Sequence, residues 1–182
     1  MSDVIVVDHD PDWEKYFIYL CLFIRQNKIL KGARIEHVGS TSVPGLAAKP
    51  VIDMDIVAIS KEKVNEYIKA LSELGYEHRG DLGITGRDAF RYQGDLKLPR
   101  HNLYVVLEDS IAFKNHIILR DTLRFDDNLR ERYADLKKRL AKKFPDNVDK
   151  YCEAKSELIL EIISTGELES QELEQIRKEN KL

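Results

Sequence analysis

The chain has 182 residues, of which 43% are apolar, and this length and composition predict one domain with a sizeable core. Its 29 basic and 32 acidic residues give a net charge of −3, which disfavours polymeric DNA or RNA and anionic membranes as partners. Because the sequence shows neither a leader of basic then apolar residues nor an apolar run of membrane-spanning length, we expect a soluble cytoplasmic protein.

A first helix is predicted over about residues 11–30. Asp10-Pro11 is typical of a helix start. Large apolar residues then recur at helical spacing: Trp13, Phe17, Leu20 and Ile24. These aromatic residues could be interpreted as a base-stacking surface, but at this spacing they are more often core, and the helix is expected to cover a sheet.

Upstream of the main motif, a strand over about residues 34–38 ends at Gly39 and Ser40. Where a strand turns toward a helix, free backbone N–H groups can hold a phosphate. Gly39 and Ser40, with the neighbouring Thr41, are therefore predicted to bind nucleotide phosphates.

Two aspartates stand one residue apart in the apolar stretch 51–57. Side chains of a strand alternate between two faces, so Asp53 and Asp55 should project from the same face, roughly 6.5–7 Å apart. Neighbouring carboxylates repel each other unless a cation lies between them, and the strand supplies no basic residue. The pattern favours a divalent cation, and Mg²⁺ (or Mn²⁺) is expected because Mg²⁺ prefers one or two carboxylates plus substrate phosphates.

These residues resemble a known family. The run from His37 to Pro50, His-Val-Gly-Ser-Thr-Ser-Val-Pro-Gly-Leu-Ala-Ala-Lys-Pro, resembles the signature of the GrpB (UPF0157-like) family. Hydrophobic-Gly-Ser, twelve intervening residues and the Asp-x-Asp strand resemble the wider nucleotidyltransferase superfamily, with its polymerase-beta-like fold. The resemblance covers about residues 7–163, and it implies a metal ion on Asp53 and Asp55 and a nucleoside triphosphate as substrate.

Residues 79–87 crowd three glycines and two arginines into nine positions. Closely spaced glycines let a backbone approach a ligand, and guanidinium groups match phosphate geometry. A plain hairpin loop with solvated arginines explains the composition equally well. The segment resembles the Gly-x-x-Gly-Arg segment of GrpB proteins, which favours phosphate contacts from Arg87 and from Arg91 in the strand that follows.

A strongly β-like run covers residues 101–107. Members of the superfamily usually carry a third carboxylate on a strand near this point, but this strand contains no acid. Alternation puts His101 on one face and Asn102 on the other. Since the resemblance implies a histidine here in GrpB proteins, His101 is predicted to act with Asp53 and Asp55 as a base or ligand, although a lone strand histidine is more often structural.

From residue 110 the pattern is helical, with predicted helices over about 110–123, 126–144 and 147–164. Phe113-x-x-His116 and Tyr151-x-x-x-Lys155 resemble segments of the GrpB helices. Lys155 lies one turn after Tyr151 and is predicted to reach back to a phosphate. The charged tail 167–182 is interpreted as a frayed helix, with an oligomer contact as the sharper alternative.

These elements predict an α/β (α+β) fold with a mixed β-sheet of nucleotidyltransferase type, flanked by helices and followed by a helical C-terminal part. One domain would cover residues 1–166, and 167–182 would form the charged tail. The predicted function is metal-dependent transfer of a nucleotidyl group from a nucleoside triphosphate to a small-molecule or protein acceptor. The missing third carboxylate favours a non-catalytic nucleotide-binding or regulatory module instead, and a structural or interaction domain is a third interpretation. Oligomeric state is left open.

Overall fold

The computed structural model describes residues 4–179, in which five strands form one sheet. The strands are β1 (Arg34–Val38), β2 (Ile52–Ala58), β3 (Tyr76–His78), β4 (Arg87–Tyr92) and β5 (His101–Leu107). The helices are α1 (Asp12–Ile24), α2 (Lys61–Glu73), α3 (Ile111–Phe125), α4 (Asp127–Lys143), α5 (Val148–Ala154), α6 (Ser156–Ile163) and α7 (Ser170–Glu179). A short 3-10 turn, Ser40–Ser42, follows β1.

The sheet is mixed, as the sequence predicts. Its strand order is β1-β2-β5-β4-β3, with β2 and β5 parallel and the other neighbours antiparallel. Because β2 and β5 run in the same direction, both begin at one edge of the sheet. The register sets Asp53 beside Asn102 and Asp55 beside Tyr104.

One face of the sheet carries the main hydrophobic core, under α1 and α2. The inward residues of β2 alternate with its aspartates, and the same alternation in β5 supplies Leu103 and Val105. Each large apolar side chain that is fully buried contributes about 1.5–3 kcal/mol. The cluster includes Trp13, Leu20, Ile24, Ile52, Met54, Ile56, Leu71, Leu103 and Val105.

The other face lies under the C-terminal helices. Phe113 of α3 packs on Val57 and Val106. Beyond the sheet, Val43 and Leu46, from the crossing between β1 and β2, pack into a cluster with residues of α3, α4 and α6. The C-terminal helices are thereby attached to the segment that follows the Gly39–Ser42 turn.

The structure differs from the sequence prediction in three elements. The first helix ends at Ile24, and the last predicted helix is broken at Lys155 into α5 and α6. The expectation of a frayed tail is wrong for residues 170–179, because Leu168, Leu173 and Ile176 pack against α3 and α6. The last three residues of the predicted tail, 180–182, lie outside the residues that the structure describes. Between residues 4 and 179, no helix combines the length and apolarity that crossing a bilayer requires.

Candidate functional site

The two aspartates of β2 lie on the sheet face that the C-terminal helices cover. Ile52, Met54 and Ile56 belong to the opposite core, so strand alternation turns Asp53 and Asp55 toward α3 and its neighbours. The Asp55 side chain is completely buried, at 0% exposure, whereas Asp53 is partly exposed at the edge where the strands begin. The carboxylates thus share a face but differ in solvation.

Asp53 has one polar neighbour on β5. The Asn102 Nδ2 group donates to Asp53 Oδ1 over 2.7 Å. Burial raises the pKa of Asp53, and the bond from Asn102 and the charges of His116 and Lys155 partly offset that rise. The residue of β5 beside Asp53 is therefore an amide that donates to the carboxylate and not a third acid.

Helix α3 supplies a hydrogen-bonding partner for Asp55. His116 Nδ1 lies 2.7 Å from Asp55 Oδ2. Although burial lowers the pKa of His116, the charge and hydrogen bond of Asp55 raise it above its usual value. The other oxygen, Asp55 Oδ1, is buried without a hydrogen-bond partner among residues 4–179. Leaving a buried acceptor unpaired is unfavourable, and a cation bound at this oxygen would remove that cost.

The turn after β1 lies directly against Asp53. Gly39 has φ +67°, and a Cβ at this position would overlap Asp53 Oδ2. Two arginines of α3 fix the turn, since Arg124 donates two bonds to Ser42 O at 2.8 and 3.1 Å and Arg120 donates to His37 O. The glycine is therefore required for the close approach of the turn to the carboxylate.

Not all predicted phosphate ligands face this site. Thr41 is buried, and its hydroxyl donates to Val51 O at 3.2 Å and contacts His37, so its polar atom serves the turn itself. Arg91 is exposed on β4 beside Glu77. Arg87 lies with its guanidinium carbon 4.4 Å from the ring centroid of Tyr104, and its charge acts on His116. The structure thus places Arg87 beside Tyr104 on the sheet face that carries the aspartates, and it leaves Arg91 exposed away from that site.

His101 lies on the opposite face of the sheet. Its Nε2 is 2.8 Å from Tyr76 Oη, and its Nδ1 is 2.7 Å from Pro99 O, so both ring nitrogens are engaged. Burial lowers its pKa. His101 and Asp53 cannot act together in this geometry, and the structural interpretation of a lone strand histidine describes the residue better.

The charge of Asp53 acts on three lysines, each of which lies near a tyrosine ring. Lys155, at the break between α5 and α6, has its Nζ 5.0 Å from the ring centroid of Tyr151, and its charge lowers the pKa of Asp53. Lys49, from the crossing before β2, lies 5.7 Å from the same ring. Lys137 of α4 lies 4.5 Å from the ring centroid of Tyr133. The structure thus brings the charge of Lys155 close enough to Asp53 to act on that carboxylate.

Sequence reasoning gave no site role to Asn102, His116, Lys49 or Lys137. Asn102 is set by the parallel pairing of β2 and β5, which no local pattern reveals. A signal existed for His116 in the Phe113-x-x-His116 resemblance and for Lys49 in the motif. For Lys137, the signal was the resemblance of Tyr133, Leu136 and Lys137 to a segment of the GrpB helices.

The carboxylates fit a divalent cation that also takes ligands from a substrate. Within residues 4–179, no group of three or more His, Cys, Asp or Glu side chains is arranged to hold a metal. Asp55 Oδ1 is unpartnered in that range, and Asp53 Oδ2 packs against Gly39 where a Cβ would otherwise lie. One oxygen from each aspartate matches Mg²⁺, which binds through one or two carboxylates plus phosphate oxygens.

Curated relatives match most of the chain. The chain is 30% identical over 172 residues to the Glutamate-rich protein GrpB of Alkalihalophilus pseudofirmus, covering 90% of this chain and 95% of that protein. It is 34% identical over 164 residues to UPF0157 protein BH1888 of Halalkalibacterium halodurans, covering 89% and 82%. A match of 38% to UPF0157 protein YqkA of Bacillus subtilis covers 69% of this chain but only 36% of that longer protein.

Solved structures agree with these relatives. The crystal structure of the conserved protein GrpB from Enterococcus faecalis matches with a TM-score of 0.75 and 33% identity, over 96% of this chain and 98% of that one. The Cid1 poly(U) polymerase, solved with MgATP, shares the fold at a TM-score of 0.54 and 15% identity, over 79% of this chain and 46% of that one. The family profile described as GrpB protein matches residues 3–165. This chain therefore belongs to the GrpB family and has a fold similar to that of nucleotidyltransferases.

Proposed function

We propose that this chain is a metal-dependent nucleotidyltransferase. The observation that supports this most is the pair Asp53 and Asp55, of which Asp55 Oδ1 is buried and unpartnered within residues 4–179. Such an arrangement is unfavourable on its own and favourable around Mg²⁺ or Mn²⁺. The fold shared with nucleotidyltransferases, one of them solved with MgATP, agrees with a metal–nucleotide complex as ligand.

In this proposal each aspartate contributes one oxygen to the cation. When bound, the metal would supply positive charge at the α-phosphate of a nucleoside triphosphate. His116 holds Asp55 through Oδ2 and leaves Oδ1 unpartnered within residues 4–179, while Asn102 donates to Asp53 Oδ1. These two side chains orient the carboxylates before a ligand arrives.

The remaining groups would position the phosphates. Ser40 lies in the turn beside Asp53 and would contact one phosphate, and Lys155 would neutralise charge from the helical side. Arg87, whose charge acts on His116, would add positive electrostatic potential at the site without contacting a phosphate. Catalysis would come mainly from positioning and charge stabilisation.

The proposed reaction is a displacement at the α-phosphorus. A hydroxyl or amine of the acceptor forms a bond to the α-phosphorus, the bond from that phosphorus to the bridging oxygen breaks, and pyrophosphate leaves. The acceptor loses its proton to solvent. We propose a small molecule or a protein as the acceptor, since the net charge of −3 does not attract a nucleic acid polymer.

Thermal unfolding with each of ATP, GTP, CTP and UTP, with and without Mg²⁺ or Mn²⁺, tests the site. A ligand at 100 times its Kd stabilises the native state by about 2.7 kcal/mol. We expect one nucleotide to raise the melting temperature only with metal, and the double variant Asp53→Asn/Asp55→Asn to lose that rise. If no nucleotide at millimolar concentration changes the melting temperature, the proposal fails.

A second candidate function is a nucleotide-binding module without catalysis. It is favoured by Asn102, which donates to Asp53 where the superfamily usually has another carboxylate. Pyrophosphate release under multiple turnover, measured with the nucleotide that binds, separates the two functions. Binding with metal but no pyrophosphate, across a panel of amine and hydroxyl acceptors, would support the module.

A further inference from the structure

An open groove lies at the end of the sheet where β2 and β5 begin, on the side that α1 covers. Its volume is about 780 Å³, and its lining includes the apolar side chains of Trp13 and Ile52, which are each only 2% exposed. Leu98 and Pro99 line it from the segment before β5. Sites for small molecules have this size and a mostly apolar lining with a few polar groups at fixed places. The proposed function gives this groove no role.

Two tyrosines of α1 line the groove with exposed rings. Tyr16 and Tyr19 are 42% and 51% exposed, although the outward side of a surface helix usually carries charged or polar residues. They lie three residues apart, so their side chains are neighbours on the helix surface. A planar ring of a ligand can pack against them in offset-stacked or edge-to-face geometry. Unlike the buried Trp13, these two rings are accessible to a ligand.

The segment before β5 adds positive charge to the groove. Lys97 and Arg100 are exposed, line the groove and form no ion pair among residues 4–179. The other charged groups of the lining have partners: Lys15 Nζ is 2.6 Å from Asp12 Oδ1, and Asp10 Oδ1 accepts from the Asp12 N–H at 2.9 Å. Within the described chain, the groove therefore combines two cations that lack an acidic partner with two exposed rings. A guanidinium group can donate two hydrogen bonds to a carboxylate or phosphate, so an anionic group fits here.

The groove also lies next to the aspartate site. The backbone N–H of Ile52, the residue before Asp53, donates to Arg100 O at 3.0 Å. Asn102, two residues after Arg100, donates to Asp53 Oδ1. The charges of Arg100 and Asp53 both act on Lys49, which precedes β2. A molecule in the groove is therefore one residue of β2 away from Asp53, and a group that passes round the end of the strand meets the aspartate face.

We propose that this groove binds the acceptor of the nucleotidyl group, and that the acceptor is a planar aromatic or heteroaromatic molecule with an anionic group. This inference rests on the proposed function and names the class of its second substrate. The ring would pack against Tyr16 and Tyr19, and the anionic group would pair with Arg100 and Lys97. The nucleotide would occupy the opposite face of the sheet, so the two substrates would not compete for space.

The transfer step then uses a hydroxyl or amine of the acceptor. Its oxygen or nitrogen forms a bond to the α-phosphorus of the nucleotide, and the bond from that phosphorus to the bridging oxygen breaks. Pyrophosphate leaves with the electron pair of that bond, and the proton of the acceptor passes to solvent.

The binding test uses 2-naphthoate and 2-naphthyl phosphate, each titrated by calorimetry into the full chain without metal or nucleotide. These probes combine a planar ring with the two kinds of anionic group. 2-Naphthamide has the ring without the charge, and decalin-2-carboxylate has the charge without an aromatic ring. We expect at least one naphthalene anion to bind, and the amide and the saturated acid to bind at least about fivefold more weakly.

Four variants locate the binding site. Tyr19→Leu removes a ring and Arg100→Met removes a charge, each at an exposed position. Phe125→Leu, at an 89% exposed position at the end of α3, and Arg25→Met, just after α1, make the same changes away from the groove. We expect each groove variant to weaken binding of the naphthalene anion at least about fivefold and each control to change it less than twofold. If one groove variant melts at a much lower temperature than the wild type, the other decides.

The binding results can overturn the proposal in three ways. Neither naphthalene anion binds the wild type, or the uncharged amide binds as tightly as the anions. In the third case, both groove variants bind as tightly as their controls.

A transfer assay tests the acceptor role. Its probes carry a hydroxyl or an aminomethyl group at position 6 of the naphthalene anion that binds. With Mg²⁺ and the nucleotide that binds, we expect mass spectrometry to detect the nucleotidyl adduct of one probe, formed at least about fivefold more slowly by Tyr19→Leu and Arg100→Met when the probe is subsaturating. Binding in the groove without either adduct, or adduct formation that both variants leave unchanged, would reject the acceptor role.

Failure of this inference can be told from failure of the proposed function. Binding of a naphthalene anion that depends on Tyr19 and Arg100, with no metal-dependent nucleotide binding at Asp53 and Asp55, would reject the nucleotidyltransferase and the acceptor role and would retain the groove as a binding site. Metal-dependent nucleotide binding that Asp53→Asn/Asp55→Asn abolishes, without binding of either naphthalene anion, would retain the proposed function and reject the groove.

Discussion

The two faces of the sheet are built from alternate residues of the same strands, yet they serve different purposes. Toward α1 and α2, β2 and β5 present Met54, Ile56 and Leu103, which are almost fully buried in one continuous core. Toward the C-terminal helices, the neighbouring residues Asp53 and Asp55 are polar and incompletely paired. A step of one residue along β2 therefore separates a group that stabilises the fold from a group suited to bind a ligand.

The distribution of unpartnered polar atoms supports this division. Within residues 4–179, four buried side-chain atoms lack a hydrogen-bond partner: Asp55 Oδ1, Arg87 Nε, Asn115 Oδ1 and Lys137 Nζ. Asp55 and Arg87 lie on strands β2 and β4, and Asn115 and Lys137 lie on helices α3 and α4. The core face carries none of them, so the polar imbalance is confined to the side where a charged ligand would bind.

The largest effect is expected on the core face. Met54 is fully buried between the sheet and the helices, so Met54→Ala should reduce the free energy of unfolding by about 2–5 kcal/mol. Urea denaturation at pH 7.5 measures the change. Ile59→Ala, at a position 80% exposed just after β2, should change it by less than about 0.5 kcal/mol. Equal losses of unfolding free energy in the two variants would contradict the packing of Met54 in the core.

His37 tests the edge of the core face through pH. It lies opposite Met54 in β1, stacked on Phe17, and burial, with Arg124 and Arg120, lowers its pKa to about 4. In the unfolded chain the His37 imidazole binds a proton near pH 6.5, whereas in the folded chain it binds one only near pH 4. Stability should therefore fall as pH falls through that window, by up to about 3 kcal/mol from this group.

The measurement compares wild type with His37→Gln, which does not titrate but keeps polar atoms near Thr41. The difference in unfolding free energy between the two proteins should shift in favour of the variant from pH 7.5 to pH 4.5. Groups common to both proteins cancel in this difference. A constant difference across the range would show that His37 is protonated in the folded state as readily as in the unfolded state.

The sequence predicts the face on which the two aspartates lie better than it predicts which side chains of other elements lie beside them. Alternation in β2 puts Asp53 and Asp55 on one face, because strand geometry is local. The side chains of β5 that lie beside them are set by the parallel pairing of β5 with β2. That pairing places Asn102 next to Asp53 and puts His101 on the opposite face, next to Ile52. The position of Lys137 depends on the packing of α4 against α3 and the segment between β1 and β2, which local periodicity does not fix.

The Gly39 turn is where the two faces meet, and Gly39→Ala should affect both stability and binding. A side chain at φ +67° costs about 1–3 kcal/mol, and the added methyl would overlap Asp53 Oδ2. The free energy of unfolding should fall by that amount, and the metal-dependent rise in melting temperature with nucleotide should disappear. Gly32→Ala has open space around its Cβ and should change neither quantity. Unchanged nucleotide binding in Gly39→Ala would separate the turn from the site.

The smallest expected effect has the opposite sign. Burial raises the pKa of Asp53, so at neutral pH the folded state holds its charged form at a cost that the unfolded state does not bear. Asp53→Asn removes that charge and can still accept the bond from Asn102, so the free protein should become more stable, on the order of 1 kcal/mol. This gain should be largest above the raised pKa of the folded Asp53 and should fade as pH falls from there to the pKa of an unfolded aspartate, below which the carboxyl is neutral in both states.

Urea midpoints without metal at pH 7.5 and pH 3.5 measure the gain, and nucleotide with Mg²⁺ should stabilise the wild type but not the variant. A less stable Asp53→Asn at pH 7.5 would mean that the carboxylate is already paired in the free protein. Met54 and Asp53 are adjacent in β2, so opposite signs for their substitutions would locate the conflict between stability and binding within a single strand.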